Sequence, residues 1–250
     1  MEAYSKMAKV YDELIYEDVN YEKIANFILN LCNKMAINKE NYLDLACGTG
    51  NVAQYIGKNF KLNYLVDLSE EMLMEADKKL RFSKVKAKII CQDMCELNLN
   101  KKFDLITCVL DSTNYILEDS ELEDYLEGVH QHLNENGVFV LDINSYYKLS
   151  EVLGNNIYTY STDEVFYSWE NVFEDDIVDM DLTFFVKNGE LYERFNEFHQ
   201  ERAYKEEFLE KKFKNAGFII KEKYNGYSEE KVLKNTERIV YVLTKSLGYI

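Results

Sequence analysis

The stretch that most constrains this chain is Tyr42-Leu43-Asp44-Leu45-Ala46-Cys47-Gly48-Thr49-Gly50-Asn51. Its first residues read as a buried β-strand and run straight into a loop holding two glycines. An amphipathic run with Val52, Tyr55 and Ile56 follows and reads as the start of a helix. A strand, a glycine loop and a helix in that order bring backbone N–H groups and the positive helix end up to a ligand with no side chain in the way. Gly48, Gly50 and Ala53 also fit the dinucleotide fingerprint G-x-G-x-x-G/A. The loop alone is therefore compatible with an NAD(P)-dependent oxidoreductase or with a plain tight turn.

The acid inside the strand changes the balance. Asp44 lies four residues before the first glycine, where a nicotinamide-binding strand is usually apolar to its end. Leu-Asp-Leu-Ala-Cys-Gly-Thr-Gly closely resembles the first motif, acid-x-x-x-Gly-x-Gly, of the class I S-adenosylmethionine-dependent methyltransferases. The resemblance implies that Asp44 contacts the methionine amino group, often through water. It also implies that the loop backbone at Ala46, Cys47, Gly48 and Gly50 passes under the cofactor.

Further acids follow at matching places. Leu62 to Asp67 reads as a second strand ending in a carboxylate seventeen residues after Gly50, near the spacing at which an acid bonds ribose hydroxyls. Leu68 follows it, and Ser69 is placed to cap a helix led by Glu70 and Glu71. A third strand, Val85 to Cys91, ends in Gln92-Asp93-Met94. In the resembling family the acid here takes the adenine amino group and its neighbour lies against the ring, which implies those roles for Asp93 and Met94. The segment before the first strand carries Tyr4 and Tyr11. In similar small-molecule methyltransferases such a segment folds over the cofactor and a tyrosine meets its methionine end. The residues alone leave simple aromatic packing equally open.

The fourth strand, Phe103 to Leu110, leads into Asp111-Ser112-Thr113-Asn114-Tyr115. Ligands of open parallel sheets bind outside the carboxyl ends of the strands, so this loop is expected to face the transferred methyl group. Enzymes that methylate base amines or protein glutamine carry Asn/Asp-Pro-Pro-Tyr here, and base C5-methyltransferases need Pro-Cys. This chain contains no proline. Ser120-x-x-Glu123 reads as a capping box for the next helix, Asn136-Gly137 as its end, and Val138 to Ile143 as strand five.

From about residue 155 to 202 the alternation of strand and helix stops. Three strands are expected, Val165–Glu170, Ile177–Val186 and Leu191–Glu201, with turns at Glu174-Asp175-Asp176 and Asn188-Gly189. Within the third, Glu197 and His199 share a face. His199 is a candidate base; the alternatives are a structural salt bridge with Arg202 or an exposed ring. A helix (Tyr204, Phe208, Leu209, Phe213) and two closing strands complete the chain.

The expected fold is thus α/β: a Rossmann-like seven-stranded methyltransferase sheet with its last strand antiparallel, plus a small inserted antiparallel sheet. The division is 1–150 with 203–250 for the main domain and 151–202 for a lid or substrate region. The balance of 29 basic and 45 acidic residues, net −16, repels phosphate backbones and anionic membranes. No apolar run of about 18 residues occurs. The expected setting is cytoplasmic, as a monomer or homodimer, without nucleic acid or membrane. Of the five cysteines, Cys91 and Cys95 lack the partners of a zinc site, so no metal is expected. The functional reading is a methyltransferase using S-adenosyl-L-methionine on a small soluble acceptor with a nitrogen or oxygen nucleophile, with Tyr11, Asp111 and His199 as catalytic candidates. Leu110 joins the cofactor-contacting residues at the end of strand four. The alternatives are the oxidoreductase and a non-catalytic protein that binds S-adenosylmethionine.

Overall fold

A computed structural model describes residues 19–246; Tyr4 and Tyr11 lie outside the described residues. Helix α1 (Tyr21–Lys34) opens with the Asn20 side chain accepting the Lys23 N–H at 2.9 Å. Strand β1 (Asn41–Leu45) then leads through the glycine loop to a single helical turn, α2 (Ala53–Ile56). Strand β2 (Leu62–Asp67), helix α3 (Glu70–Phe82) and strand β3 (Ala87–Cys91) follow, and Ser69 caps α3 by accepting the Met72 N–H. Strand β4 (Phe103–Cys108), helix α4 (Asp119–His132) and strand β5 (Leu133–Asn144) complete the first half.

The main sheet is closed by helix α5 (Glu206–Asn215) and strands β10 (Phe218–Asn225) and β11 (Arg238–Lys245). Its order is β10-β11-β5-β4-β1-β2-β3, with β11 antiparallel to both neighbours. The near-continuous apolar strands account for this sheet, because both faces are covered. Ile24, Ile28, Ala76 and Leu80 pack on one face, and Leu122, Leu126, Leu209 and Phe213 on the other. Each of the Ile, Leu and Phe side chains contributes about 1.5–3 kcal/mol by leaving water.

Between β5 and α5 the chain builds a second, antiparallel sheet of four strands, β6 (Ile157–Ser161), β7 (Val165–Glu174), β8 (Ile177–Asn188) and β9 (Leu191–Arg202). The sequence reading has three, and β6 is the addition. It is short and mostly exposed, so it carries no alternating burial to betray it. The turn after β7 places Asp175 and Asp176 at φ +50° and +62°, the two left-handed residues of a type I′ hairpin. In the next hairpin Asn188 pairs with Leu191, so the loop is Gly189-Glu190, one residue later than Asn-Gly suggests. The predicted capping box is also displaced. Helix α4 begins at Asp119, which puts Ser120 inside its first turn, and no side chain caps it.

One residue joins the two ends of this excursion. Asn114 Nδ2 donates to the carbonyl of Asn144, where the chain leaves the main sheet, at 3.1 Å, and to that of Arg202, where it returns, at 2.9 Å. Its Oδ1 accepts the Asn144 N–H at 2.9 Å. The side chain is fully buried.

Candidate active site

A cavity of about 550 Å³ lies across the carboxyl ends of β4, β1, β2 and β3. That volume suits a drug-sized or nucleoside ligand. The glycine loop forms its floor. Gly48 has φ +53°, and a Cβ built on it meets nothing within 4 Å, so the loop leaves open space on that side. Its N–H donates to Asp67 Oδ2 at 2.7 Å, while Asp67 Oδ1 accepts the Ser69 N–H at 2.9 Å. Asp67 is thereby fixed at the end of β2 with lone pairs left over for hydroxyl donors. Burial pushes its carboxyl above the usual range, and the backbone N–H groups oppose that.

Asp44 is buried beneath the loop at 2% exposure. Thr107 Oγ1 donates to its Oδ1 at 2.7 Å, and Tyr42 Oη lies 2.8 Å from the same threonine hydroxyl. Burial raises the Asp44 carboxyl to about 7, with the Thr107 hydrogen bond pulling the other way. A cationic ligand group above it would restore the charged form. Lys79 holds the loop from behind through Thr49 Oγ1 at 2.9 Å and Asn51 Oδ1. At the β3 end Asp93 Oδ1 accepts the Cys95 N–H at 2.8 Å, which shapes the turn that presents Met94.

Of the residues singled out from sequence, Asp44, Ala46, Cys47, Gly48, Asp67, Leu68, Asp93, Met94 and Leu110 all line this cavity. Three do not. Gly50, at φ +74°, sits behind the loop, where an added Cβ would come within 3.2 Å of Ala76 Cβ; it lets α3 approach. Asp111 turns away into an ion pair with Arg238, Nη2 to Oδ1 2.6 Å. His199 is buried on the inner face of β9, with its ring edge-on to Tyr115 at 6.0 Å, and it is Tyr115 that lines the cavity. Neither plain alternative for His199 holds either, because the ring is 6% exposed and Arg202 pairs with Asp119 at 2.8 Å. Desolvation lowers the imidazole to about 4.

The donors and shape fit an adenosyl amino acid: a carboxylate for ribose hydroxyls, a buried acid for an ammonium, and a glycine floor between them. A family profile described as "Methyltransferase domain" matches residues 43–137. The chain is 30% identical over 247 residues to "Putative methyltransferase YqeM" of Bacillus subtilis (strain 168), with 97% of each chain covered. The crystal structure of an S-adenosylmethionine-dependent methyltransferase from Clostridium acetobutylicum ATCC 824 superposes with a TM-score of 0.92 at 53% identity, covering 97% of this chain and 98% of that one. The chain is an S-adenosylmethionine-dependent methyltransferase. A more distant relative of this methyltransferase is the dTDP-3-amino-3,4,6-trideoxy-alpha-D-glucopyranose N,N-dimethyltransferase of Streptomyces venezuelae. It is 31% identical over 137 residues, 54% of this chain and 56% of that one.

Sequence reasoning missed two residues of this methyltransferase that bear on the site, Asp142 and Arg238. Asp142 accepts the N–H groups of Leu110 and Asp111, both at 2.8 Å, and also bonds Tyr227 and Arg238. A signal existed for Asp142, an acid within the apolar run Val138 to Ile143, the same signal that singles out Asp44. Arg238 carries none. It reaches the site because β11 runs antiparallel, which brings its first residue to the carboxyl end of β5, opposite Asn144.

Proposed function

We propose that this methyltransferase acts on a small soluble acceptor through a nitrogen or oxygen nucleophile, with the four-stranded sheet and the 151–202 segment as the acceptor-covering part. When bound, S-adenosylmethionine supplies a methyl group already activated on a sulfonium. The order of the cavity walls supports a placement with the nucleoside half over β2 and β3, at Asp67 and Asp93. The amino-acid half then lies over β1 and β4, at Asp44 and Leu110. Ser112 and Tyr115, next along the wall, are where an acceptor would meet the methyl group.

The observation that carries the small-acceptor reading is the inner face of β9. Glu197, His199 and Glu201 are all buried there at 4–6% exposure, with His199 against the cavity-lining Tyr115. An acceptor wall at Tyr115 that is backed by buried side chains in this way suits a compact acceptor better than a polymer. A neutral imidazole with a value of about 4, packed against Tyr115 and off the cavity lining, is a poor proton acceptor near pH 7. Alignment alone contributes roughly 7–11 kcal/mol in well-oriented reactions, so a strong base is not required. The name of the Streptomyces venezuelae relative, an aminosugar N,N-dimethyltransferase, favours amines within this class.

The test is a calorimetric comparison of S-adenosylhomocysteine with NAD, followed by S-adenosylhomocysteine release from S-adenosylmethionine across amines, amino-sugar nucleotides, alcohols, RNA and protein. Binding of S-adenosylhomocysteine but not NAD, lost in Asp67→Ala, and turnover with a small amine or alcohol are expected. Turnover only with RNA or protein would overturn the small-acceptor reading.

A further inference from the structure

The turn that follows β4 is built from two consecutive non-glycine residues in the left-handed region, Leu110 at φ +61° and Asp111 at φ +59°. Outside type I′ hairpins such as Asp175-Asp176, L-residues visit this region singly and seldom. Strained backbone of this kind persists only where its surroundings over-determine it. Leu110 lines the cavity, and Ser112 and Tyr115 of the same loop line it further on.

The surroundings that hold this turn converge on one carboxylate. Asp142 Oδ2 accepts the Leu110 N–H at 2.8 Å and Asp142 Oδ1 accepts the Asp111 N–H at 2.8 Å. Each oxygen also takes one further donor, Tyr227 Oη on Oδ2 and Arg238 Nη1 on Oδ1. Four donors thus fill the lone-pair sites of a side chain with no exposure. Arg238 closes the ring, because its Nη2 donates to the Asp111 carboxylate at 2.6 Å. The backbone N–H groups and the side chain of the turn are therefore gripped from β5 and β11 together.

We propose that Asp142 is a positioning residue of this methyltransferase, clamping the Leu110–Asp111 turn so that the wall beside the amino-acid half of the cofactor stays in place. Asp142 acts through the backbone it holds and does not line the cavity. Asp111, a catalytic candidate by its position in sequence, belongs to the same clamp. An amide in place of the carboxylate offers one acceptor oxygen to two N–H groups and turns an NH₂ toward donors. The turn then relaxes toward negative φ and carries Leu110 off the cavity wall. Arg238 keeps Asp111 as its partner, so no buried cation is stranded.

The test rests on the cofactor placement proposed above and uses two probes that read its two halves. S-adenosylhomocysteine spans the cavity, whereas adenosine reaches only the β2 and β3 side. In Asp142→Asn, S-adenosylhomocysteine affinity is expected to fall at least tenfold, and adenosine affinity less than threefold. Tyr227→Phe removes one donor to the same carboxylate and should reproduce the split more weakly, at about twofold to fivefold. General loosening of the fold would weaken both probes alike, and that result, or unchanged S-adenosylhomocysteine affinity in both variants, overturns the clamp. If Asp67→Ala weakens adenosine while Asp142→Asn spares both probes, the clamp alone fails. If the unaltered protein binds neither probe, the cofactor placement fails and the clamp with it.

Discussion

Asp44 should cost this methyltransferase stability in order to bind its cofactor, and Asp44→Asn should expose both halves of that exchange. The carboxyl has an ordinary value of 3.8 and is raised to about 7, chiefly by burial. An acid raised on folding favours the folded state while it is protonated. As pH rises past the unfolded value the unfolded chain ionises first, and stability is lost until the folded value is passed. Over the gap between those two values the loss amounts to about 4 kcal/mol at pH 8 and about 1.5 kcal/mol at pH 5. Asparagine is neutral throughout and can still accept the Thr107 hydroxyl through its oxygen. Urea unfolding of the ligand-free protein should therefore show Asp44→Asn more stable than the parent by about 2–4 kcal/mol at pH 8, with the difference shrinking to less than half at pH 5. Calorimetry with S-adenosylhomocysteine should move the other way. Losing a hydrogen bond to a charged group costs about 1.5–3 kcal/mol, or roughly 10- to 150-fold in affinity. For the parent, affinity should rise as pH is raised through 7. A variant that is destabilised at pH 8, or that binds S-adenosylhomocysteine as tightly as the parent, would refute the reasoning.

Two further outcomes follow from the same geometry. Gly50→Ala puts a Cβ at φ +74° and 3.2 Å from Ala76. It should lower stability by about 1–3 kcal/mol, read as a shift of the urea midpoint without change in slope. His199, lowered to about 4, contributes stability at neutral pH that is lost as pH falls from 6.5 towards 4. Replacing it by Gln should flatten that part of the acid-unfolding curve, and no inflection of the methyl-transfer rate between pH 6 and 7 should disappear in the variant.

The parts of the site legible in the sequence are those built from adjacent residues. Asp44, Gly48, Asp67 and Asp93 each lie at, or within three residues of, the carboxyl end of a strand whose apolar run is visible, so topology alone gathers them at one edge. Asp111 lies off the cavity lining, because a loop position says which end of the sheet a residue occupies and not which way its side chain turns. Its direction is decided by Arg238, 127 positions along the chain, through an ion pair of 2.6 Å. His199 is likewise off the lining: it shares the buried face of β9 with Glu197, and its ring packs against Tyr115, the loop residue that does line the cavity. Strand β6 left no trace because Ile157 to Ser161 pairs on one side only, as an edge strand with mostly exposed side chains.

The excursion between β5 and α5 departs and returns at two carbonyls that one amide group spans. Whatever lies between Asn144 and Arg202, the main sheet has to close the same short gap. Lengthening that detour adds only about 0.6 kcal/mol of closure entropy per doubling. A sheet of different size or facing could be spliced between these points while the residues around the cofactor cavity kept their spacing. The inserted sheet can then be exchanged as a whole structural cassette, with Asn114 as the fastening that any replacement must preserve.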